Sequence, residues 1–122
     1  MSERLLVKGL GASPGRAKGP VAFSATSVQA FAAKGTLAVF VCIEASAEDA
    51  DGIRACAALV TTRGGVTGDG AIMARALGKP CLTSCGAVIV RASEKLLMAG
   101  DISVREGEAV TLDAARGELF LD

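Results

Sequence analysis

The sequence predicts a mixed α/β domain with a partly parallel central sheet, flanked by short helices and additional short strands. Three observations predict it. Short apolar runs separated by turn residues crowd both ends of the chain. The middle alternates strand, helix, strand, helix. About half of the residues are apolar, and most of these are Ala, Val, Leu and Ile. With 122 residues, no Trp or Tyr and four Phe, the chain has the length of one domain (1–122) with an aliphatic core.

"RLLVKGL" (Arg4 to Leu10) reads as a strand, and the Gly- and Pro-rich "GASPGRAKGP" (Gly11 to Pro20) as a loop. "VAFSA" follows as a strand. "SVQAFAAKG" (Ser27 to Gly35) reads as a short helix capped by Ser27 and stopped by Gly35. "TLAVFVCI" is a continuous, partly β-branched run, hence a strand buried on both faces. "SAEDADGIRACA" (Ser46 to Ala57) opens with Ser46 and has Asp49 three residues on. Its acids come early and Arg54 late, as a helix dipole prefers.

"ALVTT" is the next strand. The loop "RGGVTG" then leads into "DGAIMARALG", where Ile72, Met73, Ala76 and Leu77 recur at helical spacing and predict the buried stripe. Gly78 and Pro80 stop that helix. "PCLTSC", "AVIV", "EAVTLD" and "GELFLD" are further short strands, separated by turns such as "REGE" and "AARGE".

Thirteen basic residues balance thirteen acidic ones, so no basic excess points to nucleic acid. No run is long and apolar enough for a bilayer, and "MSERLLVKGL" lacks the hydrophobic region of a signal peptide. The expectation is a cytoplasmic protein with no membrane partner. Cys42, Cys56, Cys81 and Cys85, in a chain without histidine, read as buried thiols rather than a disulfide frame or a metal site.

The chemistry concentrates between Arg63 and Arg75. Gly64, Gly65 and Gly68 let the backbone bend and approach a ligand. The first N–H groups of the following helix lack internal partners and, with the dipole, form an anion site that Arg63 and Arg75 would reinforce. Neither G-x-x-x-x-G-K-[ST] nor G-x-G-x-x-G is present, so the loop alone does not indicate a nucleotide. Asp69, at the helix start, is itself an anion. On the residues alone, a phosphate loop and an ordinary turn with a dipole-stabilising acid both explain the stretch.

"RGGVTGDGAIMARALGKPCLTSCG" resembles the active loop of the phosphohistidine swivelling domain of PEP-utilising enzymes, closest to the pyruvate phosphate dikinases, whose motif runs G-G-x-T-S-H-A-A-x-x-A-R. "GLGASPGRAKGPVAF", "CIEASAEDADGIRACAALVTTRGG" and "VREGEAVTLDAARGELFLD" resemble that family's entry segment, middle helix and strand, and closing strands. The resemblance covers nearly the whole chain in order. It implies a swivelling β/β/α domain that carries a phosphoryl group between a nucleotide-binding domain and a barrel domain handling pyruvate and phosphoenolpyruvate. It also implies no cofactor on this domain, with Mg2+ at the partner sites.

By position, the family's acceptor histidine falls on Asp69, its threonine on Thr67, its serine on Gly68 and its next alanine on Gly70, while Arg63 and Arg75 match. The first expectation is therefore a carrier-domain homologue without phosphotransfer of its own. In it Asp69 supplies a fixed charge where the family has a transient one. The second is an active carrier forming an acyl phosphate on Asp69. The third is a structural remnant without a ligand. The chain by itself is expected to be non-catalytic, although the family is one of phosphotransferases.

Overall fold

The structure, a computed structural model, describes residues 4–122; the first three residues of the span 1–122 lie outside the described residues. The described residues form eleven strands, three α-helices and two short 3₁₀ turns in the order β1 (Arg4–Lys8), β2 (Leu10–Ser13), β3 (Arg16–Ala22), α1 (Ala25–Ala33), β4 (Val39–Cys42), α2 (Ala50–Ala55), β5 (Ala58–Thr61), α3 (Asp69–Leu77), β6 (Cys81–Thr83), β7 (Ile89–Arg91), β8 (Leu96–Ala99), β9 (Ile102–Arg105), β10 (Ala109–Asp113) and β11 (Glu118–Leu121), with the 3₁₀ turns at Ala47–Asp49 and Ala92–Glu94.

Eight strands form one sheet in the order β1-β11-β10-β3-β4-β5-β6-β2, and β7-β8-β9 form a second, antiparallel one. The centre, β3-β4-β5-β6, is parallel and the flanks are antiparallel. The two outer strands of the large sheet, β1 and β2, are consecutive in the chain, with Gly9 between them. The partly parallel sheet expected from the alternating middle is present.

Alternation across the central strands creates two cores. Val39, Val41, Ala58, Val60 and Leu82 face one cluster, which also holds Val90, Leu97 and Val104 from the small sheet. Phe40, Leu59 and Cys81 face the other, with Val28, Ile53, Ala71 and Ala74 from the helices. The result is a β/β/α stack in which β4 and β5 are buried on both faces, as the run "TLAVFVCI" predicts for β4. Each fully buried aliphatic side chain contributes about 1.5–3 kcal/mol relative to exposure.

Four sequence expectations are corrected. Gly11–Pro20 is not a loop: β2 and most of β3 occupy it, and only Pro14 and Gly15 turn. Ladders to β6 and β10 override the local turn signal of Gly and Pro. The strand expected at "VAFSA" ends at Ala22, because Ser24, not Ser27, caps α1. The Ser24 side chain accepts from the Ser27 N–H at 3.1 Å.

Of the stripe expected on α3 only Met73 packs against the core, while Ile72, Ala76 and Leu77 face outward. Gly70, Ala71 and Ala74 are buried, while Ile72 and Leu77 are 50% and 41% exposed. Small residues let α3 lie close on the sheet, which the larger side chains would prevent. The hairpin β8–β9 was not among the expected strands. By contrast, the capping box of Ser46 and Asp49 forms, and Gly78 closes α3 in the left-handed region.

The four cysteines are free thiols; Cys56, Cys81 and Cys85 are buried and Cys42 is half-buried. Burial pushes the Cys42 and Cys85 thiols up to about 12 and those of Cys56 and Cys81 to about 11. A thiol reagent at neutral pH is therefore expected to leave all four cysteines of the folded protein unmodified and to modify all four in urea. The unfolded chain releases these protons near 9, whereas the folded chain holds them to 11 or 12. The folded state thus binds more protons in that window, and stability falls as pH rises through it. A urea midpoint that holds steady from pH 8 to 11 would contradict this.

Candidate functional site at the exits of the parallel strands

Open parallel sheets collect ligands beyond the carboxyl ends of their strands. Here the exits of β4, β5 and β6 meet. Thr62 and Arg63, just past β5, donate their N–H groups to the Ile43 carbonyl past β4, at 3.1 and 2.9 Å. The Thr62 hydroxyl donates to the same oxygen at 3.2 Å. On the other side the buried Thr61 hydroxyl donates to that of Thr83 at 3.0 Å, and the Thr83 hydroxyl donates to the Arg63 carbonyl at 3.5 Å. Cys85 N–H binds the Thr61 carbonyl. The loop is thereby fastened to both neighbouring strands.

Between Arg63 and α3 the chain reverses through Gly64 and Gly65, with φ of 99° and 60°, a region that favours glycine. Gly68 N–H closes the turn on the Gly65 carbonyl. A Cβ on Gly68 would stand 2.6 Å from the Gly64 oxygen, so the turn is wound tightly. A Cβ on Gly70 would stand 2.8 Å from Ala45 Cβ, which is how closely α3 approaches the segment leaving β4.

A small depression results, lined by Glu44, Ala45, Thr61, Arg63, Gly64, Gly65, Gly68, Asp69, Gly70 and Ala71. Gly68 is the N-cap of α3 and has no side chain to cap it. Among the described residues the first-turn N–H groups of Asp69, Gly70 and Ala71 meet no acceptor. Asp69 is exposed, and its carboxylate neither caps the helix nor forms an ion pair among the described residues. Two carboxylates, Glu44 and Asp69, therefore share the depression with one guanidinium, Arg63.

The structure thus brings together Arg63, Gly64, Gly65, Gly68, Asp69 and Gly70. It does not bring Thr67 or Arg75 into the depression. Thr67 is exposed on the outside of the loop, and Arg75, in the last turn of α3, donates to the Ala12 carbonyl at 2.9 Å, tying the helix to β2. Sequence reasoning missed Glu44 and Thr61. The available signal was their place at the ends of two apolar runs that pair in parallel.

A family model described as the PEP-utilising enzyme mobile domain matches residues 36–117, well over half of the chain. The chain belongs to this family. It is 37% identical over 119 residues to pyruvate, phosphate dikinase 1, chloroplastic, of Arabidopsis thaliana, covering 98% of this chain and 12% of that protein. It is 35% identical over 116 residues to pyruvate, phosphate dikinase of Rhizobium meliloti, covering 95% of this chain and 13% of that one. The mobile-domain chain thus spans about an eighth of the length of these relatives.

Two solved structures share the fold. One is a solution structure of Enzyme I, with a TM-score of 0.50 and 22% identity, covering 70% of this chain and 31% of that one. The other is aconitase X of Thermococcus kodakaraensis, with a TM-score of 0.54 and 15% identity, covering 95% of this chain and 97% of that one. No helix among the described residues is long and apolar enough to cross a membrane.

Since the Asp69 carboxylate makes no cap, it acts on α3 through charge alone. Asp69→Asn and Asp69→Ala are each expected to cost about 0.3–1 kcal/mol, and to agree within a few tenths. With the charge gone, phosphate should raise the melting temperature of either variant more than that of the parent. Thermal unfolding across rising phosphate, with chloride at matched ionic strength, checks both. Equal phosphate responses would show that Asp69 does not hold anions away from the loop.

Proposed function

We propose that this chain is a homologue of the phosphoryl-carrier domain of dikinase-type enzymes that passes no phosphoryl group itself. In this proposal Asp69 stands at the acceptor position and supplies a standing negative charge. The domain serves as a binding or regulatory module beside a nucleotide-binding domain and a pyruvate- and phosphoenolpyruvate-handling barrel, in the same chain or another. The observation that carries the proposal is the exposed, uncapped Asp69 carboxylate at the start of α3, with Glu44 lining the same depression. An incoming phosphoryl group would meet two carboxylates there and one guanidinium.

In this proposal the domain binds no cofactor, and Mg2+ belongs to the partner domains. Among the described residues no three Cys, Asp or Glu side chains are grouped to hold an ion. The cytoplasm is part of the same proposal, although some relatives are chloroplastic by name.

The test supplies the chain with radiolabelled phosphoenolpyruvate and a pyruvate, phosphate dikinase whose own acceptor histidine has been replaced. No label on this chain is expected. Label that hydroxylamine removes would identify an acyl phosphate and overturn the proposal in favour of an active carrier using Asp69.

A further inference from the structure

Arg63 lines a second concavity besides the acidic depression. This is a groove of about 280 Å3, with Ile43 and Thr62 on one wall and Val88, Ile89 and Val90 on the other. Ile43 and Ile89 are 45% and 54% exposed, so large aliphatic side chains stand in water on both walls. β7 is the outer strand of the small sheet and pairs only with β8. The backbone groups of Ile89–Arg91 that point away from β8 have no backbone partner among the described residues. An unpaired strand edge beside an apolar groove is a template for another strand.

The charges decide what kind of strand. Arg91 is paired with Glu94 at 3.5 Å. The Arg63 guanidinium has no hydrogen bond or ion pair among the described residues. Past Arg63 lie Glu44 and Asp69. A chain running on through the groove would cross two carboxylates, whereas a chain that stops at Arg63 places its own carboxylate on a free cation.

We propose that this groove binds the C-terminus of an extended polypeptide that ends in an aliphatic residue. The backbone of that polypeptide adds to the free edge of β7. Its last side chain lies between Ile43 and Ile89, and its terminal carboxylate pairs with Arg63. The proposal stands apart from phosphotransfer, since it uses the wall of Arg63 away from Asp69.

The probe is a pool of acetylated hexapeptides with randomised interiors and a C-terminal Val, Ile or Leu, as free acid or as carboxamide. Amide resonances of the 15N-labelled protein are followed during titration. The free-acid pool is expected to shift Ile89, Val90 and Arg91 and to protect those of their amides that point away from β8, and the carboxamide pool to bind roughly tenfold more weakly or worse. Arg63→Gln should weaken the free acids by a similar factor, and Ile89→Asp, at an exposed position that leaves the fold intact, should abolish binding. Equal binding of acid and amide, or no shift at Ile89–Arg91 at millimolar peptide, would overturn the proposal. So would identical shifts from acetate or inorganic phosphate alone, which would mark a plain anion site.

Discussion

Asp69→His is expected to carry up to one phosphoryl group when supplied with labelled phosphoenolpyruvate and a histidine-less dikinase, where the parent is expected to carry none. The new imidazole would start α3 where the first-turn N–H groups of Gly70 and Ala71 have no acceptor. Those amides are placed to receive the oxygens of a bound phosphoryl group. Replacing the carboxylate also leaves Glu44 as the only acid lining the depression, opposite Arg63. Labelling is expected to be slow, because Gly68 and Gly70 do little to hold the ring.

Placing serine at position 68 and alanine at position 70, as the resemblance suggests, is not a free improvement. Their Cβ atoms would press on the Gly64 oxygen and on Ala45 Cβ, so the loop would have to widen. Label that is labile in acid and stable in base would identify a phosphoramidate. Absence of label under conditions that label a histidine-bearing relative would show that more of the loop than position 69 keeps it from accepting the group.

What the sequence reveals depends on whether the deciding contact is local. The parallel centre was legible because β4 is apolar at every position and β5 at all but its last, Thr61, a pattern that burial on both faces requires. The glycine loop and Asp69 were legible because the caps of α3 are local features. Glu44 was not, since it reaches the depression only through the parallel pairing of β4 with β5, which no short window contains.

β2 and β3 failed for the opposite reason: their Gly and Pro residues signal turns locally, and distant partners β6 and β10 outweigh them. On α3, periodicity picked out large apolar residues of which only Met73 turns toward the core. Gly70, Ala71 and Ala74 face the sheet because close approach leaves no room for Ile72 or Leu77.

Phe40→Ala is expected to produce the largest loss of stability of any variant considered, about 3–5 kcal/mol. Phe40 is 1% exposed, belongs to β4 and fills the cluster beneath the helices. Against a domain stability of roughly 5–15 kcal/mol, that loss lowers the melting temperature by on the order of 10–20 °C. Gly52, in α2, tests whether the ring sets the spacing of the helix layer. A Cβ there would stand 2.7 Å from Ala25 Cβ of α1 and 3.0 Å from Phe40 Cε2.

Gly52→Ala alone is expected to be destabilising. Overpacking costs about 1–3 kcal/mol, and the better helix propensity of Ala offsets only about 1 kcal/mol of it. In the Phe40→Ala background the ring contact is gone, and the added methyl fills part of the cavity. The double variant should therefore be more stable than the sum of the single losses by roughly 0.5–3 kcal/mol. Urea unfolding of the four proteins measures that coupling. Strictly additive losses would mean that α2 is seated by its contact with Ala25 of α1, with the Phe40 ring playing no part in holding the helices over β4.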